Sequence, residues 1–169
     1  MNGFGNVSKA ILSSGLHILC CVAALQVQAD SVTPLPRTIQ IGALPDLLRP
    51  VLAQDCSNTD EVFYKGAEAA PFTHQMQINC SGLLAFGKTR RAEFLFNDGP
   101  LGHVWIMVEP DELPGLRVLL EQSFGPVVYT SASYLVFASG TVALRTDPPE
   151  VLVATSKLIS EITGWRTQE

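Results

Sequence analysis

RAEFLFNDGPLGHVWIMVE, residues Arg91–Glu109, decides the fold. Ala92, Phe94 and Phe96 alternate with Glu93, Leu95 and Asn97, the period of two that a half-buried strand requires. Asn97-Asp98-Gly99-Pro100 is a run of turn-forming residues, and Leu101–Glu109 returns as the second arm of a hairpin. That arm sets Val104, Ile106 and Val108 on one face and His103, Trp105, Met107 and Glu109 on the other. The hairpin is followed by the clearest helical signal in the chain. Leu113, Leu116, Leu120 and Phe124 fall at i, i+3, i+7 and i+11, Asp111 and Glu112 occupy the start, and Gly125-Pro126 stops it. The spacing predicts that Leu116, Leu120 and Phe124 pack on Val104, Ile106 and Val108.

Outward from this centre the pattern is again mixed. Pro34 and Pro36 belong to an extended lead-in, residues 30–43, in which Ile39 and Ile41 suggest a short strand. Leu44, Leu48 and Leu52 share a helical stripe, with Pro45 suited to a first turn and Pro50 predicting a short or kinked helix. Residues 55–60 read as a turn and Glu61–Lys65 as a strand. In Phe72–Asn79, Phe72, His74, Met76 and Ile78 share one face, and Thr73, Gln75, Gln77 and Asn79 the other. Residues 80–90 read as a loop ending in Lys88, Arg90 and Arg91. Beyond the central helix, Val127–Thr130, Ser133–Phe137, Thr141–Arg145 and Val151–Ala154 are short strands. Ser156 then caps a last helix carrying Leu158, Ile162 and Trp165.

Leu44-Pro45-Asp46-Leu47 and Leu113-Pro114-Gly115-Leu116 each stand ahead of several strands. Residues 44–169 therefore read as a single α+β domain, an antiparallel sheet with two or three packed helices, divisible into degenerate half-units 44–109 and 110–169. The competing explanation is that short Leu-rich helices with a first-turn Pro match by chance. Tandem helix-plus-strands units resemble the secreted β-lactamase inhibitor proteins in element order alone. No motif is shared, so the resemblance implies no residue role and no activity.

Residues 1–29 have the form of a signal peptide: a lone Lys9, an apolar stretch from Ala10 to Leu25, and Val27-Gln28-Ala29 as a cleavage site ahead of Asp30. An uncleaved anchor and a lipidated Cys20 or Cys21 are the alternatives. The polar interruptions Ser13, Ser14 and His17 oppose the first, and Ile18-Leu19 ahead of the cysteines opposes the second. Of the 169 residues 47% are hydrophobic and only 16% charged, against about 25% charged in an ordinary domain. After residue 29 ten basic residues face sixteen acidic ones, a balance of -6 that excludes a basic nucleic-acid binder and opposes binding to anionic membrane surfaces; once the leader is gone no stable membrane span is expected. Cleavage leaves two cysteines, Cys56 and Cys80. In an exported chain these read as a structural disulfide, with two buried thiols or a nucleophilic Cys as the alternatives, the latter opposed by the absence of a local Cys-His signature.

Chemistry is sparse. His74 and His103 are the histidines that remain after Ala29, without H-E-x-x-H or H-x-H spacing, so no metal site is expected. No G-x-S-x-G, phosphate-binding glycine pattern or cofactor motif is present. Glu109, Asp111 and Glu112 read as acids at a helix start, Glu150 with Arg145 as a local salt bridge, and Lys88, Arg90 and Arg91 as a solvated turn. Asn79-Cys80-Ser81 matches a glycosylation sequon that a disulfide-bonded strand leaves idle. The expectation is an exported periplasmic or extracellular binding module, without catalytic residues or cofactor, that meets a protein partner through His103, Trp105, Met107 and Glu109. The alternatives are a small secreted hydrolase built from scattered residues such as Glu150, Arg145 and His103, or an accessory subunit of an envelope complex.

Overall fold

The computed structural model describes residues 35–166; the expected signal peptide and residues 30–34 of the lead-in lie outside the described residues. The first helix is α1 (Pro45–Asp55), followed by β1 (Asn58–Lys65), β2 (His74–Ala85), β3 (Lys88–Asn97) and β4 (Leu101–Met107). Next come α2 (Leu113–Phe124), β5 (Val127–Thr130), β6 (Tyr134–Phe137), β7 (Val142–Thr146), β8 (Pro149–Ala154) and α3 (Ser156–Thr163). The eight strands form one antiparallel sheet in the order β1-β2-β3-β4-β8-β7-β6-β5. The architecture is mixed α and β. The element order of one helix and four strands occurs twice, and the two sets of strands meet where β4 pairs with β8.

Alternation assigns the sheet two chemically different faces. Ile78, Phe94, Val104, Ile106, Val151 and Leu144 belong to one buried cluster, which also contains Leu48 and Leu52 of α1 and Leu116 and Leu120 of α2. Val108 is in the same cluster, with Phe124 partly buried against it. A second, smaller cluster unites Val136, Ala143, Leu152 and Ala154 with Ile159 of α3, and these strand residues have the opposite parity.

Several boundaries differ from the sequence reading. The expected 80–90 loop is strand for most of its length: β2 continues to Ala85 and β3 begins at Lys88. The cause is a register shift between Ser81 and Leu83, centred on Gly82 at φ 82°, which breaks the two-residue period. A Cβ on Gly82 would come within 2.6 Å of Ser57 Oγ, so the bulge also needs glycine for space. Phe86, at φ 52°, makes the tight turn with Gly87. β1 starts at Asn58, inside the expected 55–60 turn, and β2 starts at His74, leaving Phe72 outside. Ile39 and Ile41 lie in turns instead of a strand, and Gly42 and Ala43 then exchange backbone hydrogen bonds with Leu101 at 2.8 Å each. α1 runs through Pro50 for eleven residues. β4 stops at Met107, a 3-10 turn at Pro110–Glu112 precedes α2, and Thr155 rather than Ser156 caps α3 by accepting from the Leu158 N–H at 3.3 Å.

Cys56, just past α1, is bonded to Cys80 in β2, with Cα atoms 5.5 Å apart and Cys80 fully buried. The bond closes a 24-residue separation and ties the first helix to the sheet. Replacing both cysteines by alanine is expected to lower stability by about 3 kcal/mol, chiefly by freeing the unfolded chain. Urea denaturation of the oxidised protein and the double variant measures this, and coincident midpoints would contradict it.

Candidate binding face

The register draws continuous rows of side chains across the sheet face opposite α1's cluster. One row runs Asp60, Asn79, Glu93, Trp105, Leu152, Ala143 from β1 to β7. The row beside it runs Val62, Gln77, Leu95, His103, Ala154. The first row changes character at β4 and the second between β2 and β3. On the β6–β8 side the residues are apolar, buried and clustered with Ile159 of α3. On the β1–β3 side Asp60, Asn79, Glu93, Val62 and Gln77 are half-buried or exposed, Leu95 is buried beside His103, and Trp105 stands at the seam.

The amide side is internally ordered. Asn79 Nδ2 donates to Asp60 Oδ2 at 2.8 Å, Gln77 Nε2 to Asn79 Oδ1 at 2.6 Å, and Gln75 Nε2 to Asn97 Oδ1 at 2.8 Å. Planar side chains held this way present fixed donors and acceptors without further loss of rotamer freedom on contact. Sequence alternation had already placed Gln75, Gln77 and Asn79 together. Their significance depends on what lies over them, which α3 decides and a strand pattern cannot show.

Around Trp105 the contacts are electrostatic and aromatic. The Arg145 guanidinium carbon lies 5.5 Å from the Trp105 ring centre and 6.0 Å from that of Tyr134. Arg145 also donates to Glu150 Oε2 at 3.0 Å, the salt bridge expected from sequence. His103 meets Trp105 edge-on, with ring centres 6.1 Å apart. Glu93, which pairs with Trp105, has its carboxyl pushed up by burial first and by the neighbouring Glu150 second, with Arg91 opposing both.

The four residues expected to form one contact surface are placed differently from one another. Trp105 and Met107 are half-buried on the open side. His103 is only 6% exposed, and burial pushes its pKa down to about 4, so the ring is neutral at pH 7 and presents no charge to a partner. It lies in the row that continues into Ala154, on the side already buried. Glu109 is exposed but beyond the strand end, at the start of the 3-10 turn. Sequence reading passed over Glu93 and Leu95, which the register brings next to Trp105 and His103, and the amides Asn79 and Gln77 one strand beyond them.

Two other expectations change. Arg90 is no part of a solvated turn: it is buried in β3, donating to the Ala85 carbonyl at 3.0 Å and to both carboxylate oxygens of Glu112 at 2.7 and 3.1 Å. Glu112 is thus the partner of Arg90 and Lys88 and more than a charge at a helix start. Among the described residues, no three His, Cys, Asp or Glu side chains come together as metal ligands, and no helix is long and apolar enough to cross a membrane. Comparison with protein-family models, curated proteins and solved structures gives no match.

Proposed function

We propose that the chain is an exported, non-enzymatic binding module that takes a protein partner on the β1–β4 half of the sheet face bearing Trp105. In this reading α1 and α2 pack on one face of the two joined half-units, and α3 packs on the second half of the other face alone. The observation that carries it is the change along the Trp105 row, from apolar and buried beside α3 to half-buried Glu93 and the hydrogen-bonded Asn79 and Asp60 toward β1. A half-buried indole next to preordered polar groups suits an interface, where a rigid aromatic anchor is surrounded by polar contacts. Export is supported by the Cys56–Cys80 disulfide, which persists in an oxidising compartment. The hydrolase alternative has less behind it, because Arg145 already neutralises Glu150 and His103 is buried.

The experiment is affinity capture from an envelope extract with wild type, Trp105→Ala and Gln77→Arg. Gln77→Arg places a long cation in the middle of the amide rows without touching the buried clusters. A partner captured by wild type should be lost with Gln77→Arg and weakened about 30-fold or more with Trp105→Ala, the scale of an interface anchor. Capture that survives Gln77→Arg would overturn the assignment. The same preparation should yield a mature N-terminus at Asp30.

A further inference from the structure

The two edges of the sheet are built differently. β5 has four residues, a register shift between Val127 and Tyr129, and Gly125-Pro126 immediately before it. Short length, an irregularity and an adjacent proline are the usual ways of making an edge unfit for pairing. β1 has none of them. It is eight residues long, pairs with β2 in unbroken register from Asn58 to Lys65, and contains neither proline nor bulge. Its outer row of backbone N–H and C=O groups is a template for another strand, and Phe63 on it is 62% exposed.

We propose that β1 pairs antiparallel with β1 of a second copy of this chain, about a two-fold axis passing between the two Phe63 residues. The sequence of the strand supports this occupant over a foreign one, because in this register it is complementary to itself. Facing residues in such a pair have numbers summing to 126, which sets Phe63 against Phe63, Glu61 against Lys65, Lys65 against Glu61, and Val62 against Tyr64. Two opposite-charge pairs therefore flank an aromatic pair on one face, and aliphatic–aromatic pairs form on the other. Sliding one strand by two residues, to a sum of 124, removes both ion pairs and sets Glu61 against Phe63.

The surroundings fit the same register. Arg49 of α1 donates to Glu61 Oε1 at 2.6 Å and Oε2 at 3.1 Å, and to Asp46 Oδ1 at 2.5 Å. Within one copy these three groups carry one positive and two negative charges. Lys65 of the second copy, arriving beside Glu61, brings the cluster to neutrality. Beside Phe63 a cleft of about 180 Å³, lined by Pro45, Met76 and Phe96 among others, leaves apolar room for the second ring. The dimer would join the two sheets edge to edge, with the Trp105 faces continuous and unobstructed. The inference does not depend on the proposed function of those faces.

Sedimentation velocity on the purified protein tests it. Wild type should show a concentration-dependent dimer, Phe63→Asp should be monomeric, and Lys65→Glu should weaken dimerisation by roughly tenfold, since both charge pairs turn repulsive. Val128→Asp, on the β5 edge, should dimerise as wild type does. Phe63→Cys should cross-link into a covalent dimer under mild oxidation, and Val62→Cys, which faces Tyr64 of the second copy, should not. A wild type that stays monomeric at all concentrations overturns the proposal, as does a dimer indifferent to Phe63→Asp or broken by Val128→Asp. Cross-linking through Val62→Cys in place of Phe63→Cys would overturn the register. Thermal melts of the variants guard against misfolding, and Phe63, being mostly exposed, supplies little of the core.

Discussion

Glu112→Ala is expected to destabilise the fold by about 3–5 kcal/mol, because it leaves the Arg90 guanidinium buried with no carboxylate. The Arg90 side chain is 5% exposed and that of Glu112 11%, and their two parallel hydrogen bonds at 2.7 and 3.1 Å form a bidentate fork between β3 and the 3-10 turn ahead of α2. Glu112 also accepts from the Glu109 N–H at 3.0 Å and faces the Lys88 ammonium at 2.5 Å. The bonds to Arg90, then Lys88, then the Glu109 amide hold its carboxyl well below the usual carboxylate range. Its stabilisation is therefore complete above the unfolded value, near pH 4.5, and is withdrawn as the pH falls toward the lowered folded value. His103 acts at higher pH. Unfolded, it takes up a proton near pH 6.5; folded, it does so only near 4, so stability declines between those values as the solution is acidified. Urea midpoints measured from pH 7 to 3 should fall in both windows, and Glu112→Gln should make the lower decline shallower, leaving the part due to Glu61 beside Arg49, while keeping the upper one. An unchanged acid profile in Glu112→Gln would refute the assignment.

Phe94→Ala should cost about 3–5 kcal/mol, the range for emptying a fully buried aromatic site. Phe94 is 0% exposed and lies at the middle of β3, between Ile78 on β2 and Val104 on β4. Strand neighbours are held by backbone ladders and cannot close on the vacancy, so little of the cavity will collapse. Val118→Ala, on the 53% exposed side of α2, is the matched control and should change stability by no more than about 0.5 kcal/mol. Chemical denaturation of the two variants decides it: equal midpoints would mean that the sheet centre is not the core.

The hairpin around Phe94 was legible because both signals it needs are local. Alternation marks its arms, and Asn97-Asp98-Gly99-Pro100 marks the turn, where Asp98 Oδ1 accepts from the Thr73 and His74 amides at 3.0 and 2.8 Å. α2 was legible for the same reason. The β2–β3 turn was not, because Gly82 shifts the alternation and the turn uses Phe86 in a left-handed conformation that a bulky residue seldom adopts. Arg90 and Glu112 are 22 residues apart, so no motif connects them. The candidate face was half legible. Trp105 and Met107 follow from parity, but His103, with the same parity, is buried between Leu95 on β3 and Ala154 on β8, where Trp105 has only half-buried Glu93 on its β3 side. The pairing of β4 with β8 joins segments more than forty residues apart, and nothing within either strand announces it.

That seam also orders the events of biogenesis. A chain made N-terminus first completes β1 to β4 well before Pro149–Ala154, and among the described residues β8 is the strand that covers the far edge of β4. Until then Leu101–Met107, with Trp105 and Ile106 within it, is an open, apolar edge strand of a half-built sheet. The five pairs from His103–Ala154 to Met107–Glu150 close that edge, so the first four strands stay open on one side until Pro149–Ala154 has been made.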